Sequence, residues 1–148
     1  MKKNIFLSLS FLLLMQLYQP ARNSDNGQVS PIHITKVYNI PFNVQQILKK
    51  SCYDCHSNNT FYPWYSYFQP VRFLMEYHIK TGKENLNFSE WGNYSRRRQE
   101  SKLDRIAKQI ESNEMPLASY TLIHRKAKLS EQQKQEVIAW INAINTDE

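Results

Sequence analysis

The chain has 148 residues, one domain's length, and its 41% hydrophobic and 13% aromatic content with only three glycines suits a small globular domain with an aromatic-rich interior. The formal charge is +6, and setting Lys2 and Lys3 aside leaves about +4. That is mildly basic, with no basic stripe or recognition motif, and it excludes nucleic acid as the expected partner.

Lys2 and Lys3 precede an apolar run from Ile5 to Leu17, broken only by Ser8, Ser10 and Gln16. The run falls short of the roughly 20 residues a bilayer span needs, so residues 1–20 are expected to form an export signal peptide. No small-x-small pair follows, and Leu17-Tyr18-Gln19-Pro20-Ala21 is a weak cleavage site. An uncleaved N-terminal anchor is therefore the alternative. No cysteine follows the run, which argues against a lipoprotein. The expected location is the periplasm, free or tethered to the membrane.

Residues 21–42 read as a linker and extended lead-in. Residues 21–30 are polar, and Ile32, Ile34, Val37 and Ile40 punctuate a stretch expected to run extended along the surface. His33 is expected to be exposed or packed locally rather than to ligate iron. The domain proper is expected over residues 43–148. Asn43 is a candidate N-cap, with Val44, Ile47 and Leu48 following at helical spacing. That short helix leads directly into Cys52-Tyr53-Asp54-Cys55-His56.

These are the only two cysteines in the chain, two residues apart, with a histidine directly after the second. Cys-x-x-Cys-His is the attachment pattern of haem c. Each thiol can form a thioether to one vinyl group, and His56 then falls where its imidazole reaches the iron. A disulfide would close a very small loop and restrain little of the unfolded chain. A redox dithiol would want a preceding βαβ pattern, and a zinc site a second ligand pair at finger-like spacing; neither is visible.

Six aromatics stand in the eight positions from Phe61 to Phe68. They read either as rings wrapped around a flat cofactor edge or as an aromatic mini-core. Residues 71–80 are expected to be helical, with Val71, Leu74, Met75 and His78 on one apolar face and Thr81-Gly82 as the stop. His78 and Met75 are thus further candidates for the iron. Ser89 is a candidate cap, and Arg96-Arg97-Arg98 reads as a solvated face. Leu103, Ile106, Ala107 and Ile110 repeat at i, i+3, i+4, i+7, the clearest amphipathic pattern in the chain.

That helix is expected to end at Ser112-Asn113. Pro116 then holds Met115 in extended backbone after the helix, where its thioether can project inward as the sixth iron ligand. Residues 118–128 read as irregular, with His124 exposed. Ser130 and Glu131 open a last helix with Val137, Trp140, Ile141 and Ile144 on its apolar face, followed by an acidic tail.

This order resembles class I cytochromes c. It resembles more closely the small haem-binding domain family of exported bacterial proteins, through Cys52-Tyr53-Asp54-Cys55-His56-Ser57-Asn58, Tyr62-Pro63-Trp64-Tyr65, Leu86-Asn87-Phe88-Ser89-Glu90-Trp91, Glu114-Met115-Pro116-Leu117 and the Leu129-Ser130 helix start. The resemblance implies an all-α, cytochrome c-like domain around one covalently attached haem c. It implies crossed first and last helices, attachment at Cys52 and Cys55, and an iron held by His56 and Met115. Such an iron has no open position, so electron transfer is the expected function and enzymatic activity is not. The rival expectations are a haem-based sensor with a weak or open sixth position, shaped by Trp64, Trp91 or His78, and a peroxidase. The second lacks an arginine–histidine pair in the sequence. Nothing in the residues identifies the redox partner or the oligomeric state.

Overall fold

Apolar residues at helical spacing fold the described residues into eight α-helices, with no strand among them. The structure, a computed structural model, describes residues 2–146. Asp147 and Glu148, the expected acidic tail, lie outside the described residues.

Helix α1 (Lys2–Met15) follows the apolar run and buries none of its residues. Residues 16–33 form no helix, but they are not loose. Asn23 donates to Ser57 O at 2.7 Å and to Thr60 Oγ1 at 2.9 Å, beside the cysteine motif. The stretch expected to be extended contains one helical turn, α2 (Ile34–Val37), capped by the His33 side chain. Ile34 and Ile40 enter the core and His33 is buried at its edge, packed edge-on against Tyr53.

Helix α3 (Phe42–Ser51) buries Val44, Ile47 and Leu48 as the spacing predicts. Asn43 is not its cap. Pro41 stands there, and Asn43 Nδ2 instead donates to Glu136 of the last helix at 2.8 Å. Cys52 closes α3 and opens α4 (Tyr53–His56), so the chain turns at the first cysteine. A 3₁₀ turn over Trp64–Tyr67 precedes α5 (Val71–Asn85), and a second spans Phe88–Asn93.

Helix α6 (Arg96–Glu111) buries Leu103 and Ile110 and half-buries Ile106 and Ala107, in agreement with its amphipathic pattern. Asn113 follows in the left-handed region at φ 62°, a conformation that asparagine tolerates better than most residues. The segment expected to be irregular holds α7 (Ala118–Ile123) and a 3₁₀ turn at Arg125–Ala127. Helix α8 (Glu131–Thr146) begins with a reciprocal cap. Gln133 N donates to Ser130 Oγ at 3.2 Å, and Ser130 N donates to Gln133 Oε1 at 3.0 Å.

Helices α3 and α6 both pack on α8, the first-with-last helix contact that the family resemblance implies. Between them Trp91, Phe88, Leu48, Leu103, Val137 and Ile141 are fully buried. Each such side chain contributes about 1.5–3 kcal/mol by leaving water. This core leaves α4 and the stretch of α6 from Lys102 to Gln109 lining a cavity.

Candidate functional site

The cysteine motif is wound into a single turn. Cys55 N and His56 N both donate to the carbonyl of Cys52, at 3.2 and 3.0 Å. That turn brings Cys52, Cys55 and His56 to the wall of one cavity of about 330 Å³. Ile106, Met115, Pro116 and Leu117 supply apolar wall, and Lys102 and Arg105 of α6 supply two cations.

His56 is held by the chain opposite. Its Nδ1 lies 3.0 Å from Gly82 O and 3.1 Å from Leu86 O. A carbonyl only accepts, so Nδ1 carries the proton and Nε2 keeps its lone pair. Burial lowers the pKa of this imidazole, the two carbonyl bonds act against that, and the charge of Lys102 adds to it. The ring is thus kept neutral, as a metal ligand must be.

Gly82 does not stop α5, as the sequence suggested; the helix runs on to Asn85. Its glycine serves close approach instead. A Cβ at Gly82 would stand 2.7 Å from the Cys55 carbonyl oxygen, so only glycine lets α5 meet α4 there.

The two cysteines are unbridged. Burial, with the other thiol nearby, pushes Cys52 up to about 12. Burial and the Asp54 carboxylate push Cys55 up to about 11. Redox dithiols are tuned in the opposite direction, towards thiolate.

Met115 lines the cavity with His56, on a loop fixed by α6. Both Glu114 N and Met115 N donate to Gln109 O, at 2.9 and 3.1 Å. His78 also lines this cavity and is half-buried. Met75 lies in a neighbouring apolar pocket between α5 and α7 and does not line the main one. Trp64 is 75% exposed and Trp91 is sealed in the core; neither lines the cavity. The aromatic run forms no mini-core, because Phe61, Tyr67 and Phe68 are exposed as well.

Several residues of the site had no role legible in the sequence. Asn87 and Ser89 hold the chain just beyond the motif. Asn58 N donates to Ser89 Oγ at 3.0 Å, Asn87 Nδ2 donates to Asn58 Oδ1 at 2.9 Å, and Ser89 N donates to Asn87 Oδ1 at 3.0 Å. Ser89 is therefore a clamp on the motif and not a helix cap. Phe88 presents its ring to His56 with centroids 6.4 Å apart, and Trp91 stacks behind it at 5.9 Å. On the other side, Tyr120 donates to Asp54 Oδ2 at 2.7 Å and stacks on His124 at 4.3 Å. His124, expected to be exposed, is half-buried because Nε2 also bonds the Tyr65 hydroxyl.

Two thiols, a neutral imidazole, a thioether, apolar walls and two cations form a donor set that fits a haem. The vinyl groups, the iron, the ring and the propionates each have a counterpart in chemistry. The model of a haem-binding domain family matches residues 10–143, nearly the whole chain. Among individual proteins, the chain is 29% identical over 96 residues to the cytochrome c peroxidase Ccp of Escherichia coli (strain K12). That alignment covers 63% of this chain and 21% of the relative, so the chain spans about a fifth of it. No solved structure matches the chain.

Proposed function

The chain belongs to the haem-binding domain family and binds haem, and from that premise we propose that it is an exported single-haem c-type cytochrome that transfers electrons. The observation that carries this reading is the placement of Cys52, Cys55 and His56 on one wall, with His56 Nδ1 fixed by two carbonyls. Attachment through both thiols suits cysteines that are half-buried, protonated and placed on a cavity wall. His56 is the proximal ligand, with Nε2 free for the iron.

Met115 is the sixth ligand in this reading. Its loop is tied to the end of α6, and it shares the cavity with His56. Lys102 and Arg105 would receive the propionates. Burial and the neighbouring charges of Arg105 and Arg98 lower the pKa of Lys102, so this rim favours an anion. A bound haem supplies a one-electron iron couple. The chain's own part is to saturate the iron, keep the ring dry and tune the potential through thioether ligation and the His56 hydrogen bonds. The peroxidase named among the relatives is almost five times longer than the matched segment, so peroxide chemistry is not carried over here.

The test is expression with a periplasmic haem-maturation system. The expected product keeps its haem through acid–organic extraction and shows a low-spin spectrum in both oxidation states. Haem lost on denaturation would sink the covalent reading. Fast carbon monoxide or cyanide binding by the untreated protein would replace the carrier by a sensor with an open iron.

A further inference from the structure

We infer that helix α1 is retained in the mature protein as a lipid-embedded anchor, joined to the haem-binding domain by a strap over residues 16–23. This deepens the export reading above and rests on it. The strap is part of the domain's own hydrogen bonding. Gln16 and Gln69 form a closed pair. Gln69 N donates to Gln16 Oε1 at 2.9 Å, and Gln16 Nε2 donates to Gln69 O at 3.3 Å. The Gln69 side chain in turn donates to Tyr18 O at 2.5 Å and accepts from Phe73 N at 3.1 Å.

Arg72 adds the most buried tie between strap and domain. It is only 5% exposed, and its guanidinium donates to Gln19 Oε1 at 3.0 Å and to the carbonyl of Pro20. Its other partner is Glu76, at 3.8 Å. Cleavage after Ala21 would remove Gln16, Tyr18, Gln19 and Pro20 together. Arg72 would then lose two of its acceptors and the chain that lies against it. Asn23 carries the strap on to the haem motif, accepting from Lys83 Nζ at 2.6 Å and donating from its backbone to Tyr62 Oη at 2.8 Å.

An independent observation points the same way. The family match begins at residue 10, inside α1, and so includes the last six residues of the helix and the whole strap.

The helix itself specifies the occupant of its surface. Beyond Asn4 only Ser8 and Ser10 interrupt its apolar surface, none of its residues is buried, and Phe6 and Leu13 are 76% and 71% exposed. A helix apolar all round is stable only inside a core or in lipid. No helix among the described residues is long and apolar enough to cross a membrane. At about 1.5 Å per residue α1 is roughly 20 Å long, so embedding it draws the domain against the bilayer surface. Tyr18, Phe68 and Phe73 are exposed around the strap, and Tyr67 bonds Arg22 at 3.2 Å. Such rings with a nearby cation suit the headgroup region.

The test uses the full chain with its native N-terminus, expressed with haem maturation. Membrane and soluble fractions are separated, and intact mass and N-terminal sequence are read. The expected protein is in the membrane fraction, resists salt and carbonate washes, dissolves in detergent and begins before Gln16. A soluble exported protein beginning at Arg22 or later overturns the inference. Two chimaeras with a foreign cleavable signal, cut before Gln16 or after Ala21, add a second reading. The longer form is expected to resist protease at least tenfold longer, and equal resistance overturns the strap. The haem spectrum of the same samples is a separate readout. Membrane retention without covalent haem supports the anchor and overturns the cytochrome reading alone.

Discussion

His56 and Gly82 are joined by a hydrogen bond of 3.0 Å from the imidazole Nδ1 to the glycine carbonyl, while the missing side chain of Gly82 admits the backbone of Cys55. One residue thus sets both the tautomer of the histidine and the distance between α4 and α5.

Gly82→Ala is expected to weaken the domain. A methyl 2.7 Å from a backbone oxygen forces the two helices apart. Overpacking of this kind costs about 1–3 kcal/mol, and the gain in helix propensity returns only about 1 kcal/mol. Chemical denaturation of the haem-free domain should show a net loss on the order of 1 kcal/mol. Stability equal to or above that of the parent would mean that α5 yields without cost and that glycine is not required there.

Met115→Ala is expected to convert the low-spin haem to a high-spin form that binds carbon monoxide. Its midpoint potential should fall within the roughly 0.8 V range that axial ligands span. His78→Ala should leave spin state and potential near the parent values. The reverse pattern would assign the sixth position to His78, which lines the same cavity.

The haem-free domain, made without maturation factors, should show sluggish thiols. With Cys52 and Cys55 pushed up to about 12 and about 11, little thiolate exists at pH 8. Alkylation is expected to run at least about 100-fold slower than for an unhindered cysteine, and to reach the ordinary rate in denaturant. Fast alkylation of the folded form would contradict the upward shift of both half-buried thiols.

Charge at the cavity rim should appear in the potential. Lys102→Gln and Arg105→Gln each remove a cation from beside the proposed propionates. Each is expected to lower the midpoint by about 1 kcal/mol or less, roughly 40 mV at most for one electron. The pH at which the potential begins to fall should move upward in the double variant. Unchanged titration in that variant would place the propionates elsewhere.

Much of the fold was legible because burial follows helical period. Leu103, Ile106 and Ile110 on α6, and Val137, Trp140 and Ile141 on α8, face the core as their spacing requires. The all-α class and the Ser130 cap were legible for the same local reasons. The pattern failed where a distant partner outbid a local preference. Asn43 gave up capping for Glu136, Ser89 for Asn58, and Gly82 stayed helical to make room for Cys55. His124 lost its expected exposure to Tyr65, 59 positions away in the chain, as well as to its helical neighbour Tyr120.

By itself the sequence determined the chemistry on offer: two thiols and an imidazole at the spacing of haem attachment, and a methionine held before a proline. Residue type and short-range spacing suffice for that, since they depend only on neighbours along the chain. Tertiary structure alone decided which nitrogen of His56 is free and which cations rim the cavity. It also decided how Asn87, Phe88 and Ser89 brace the motif and how residues 16–23 hydrogen-bond to the rest of the chain. Each of those turns on groups brought together from separate helices, and no local pattern encodes a hydrogen bond between residues 26 to 53 positions apart.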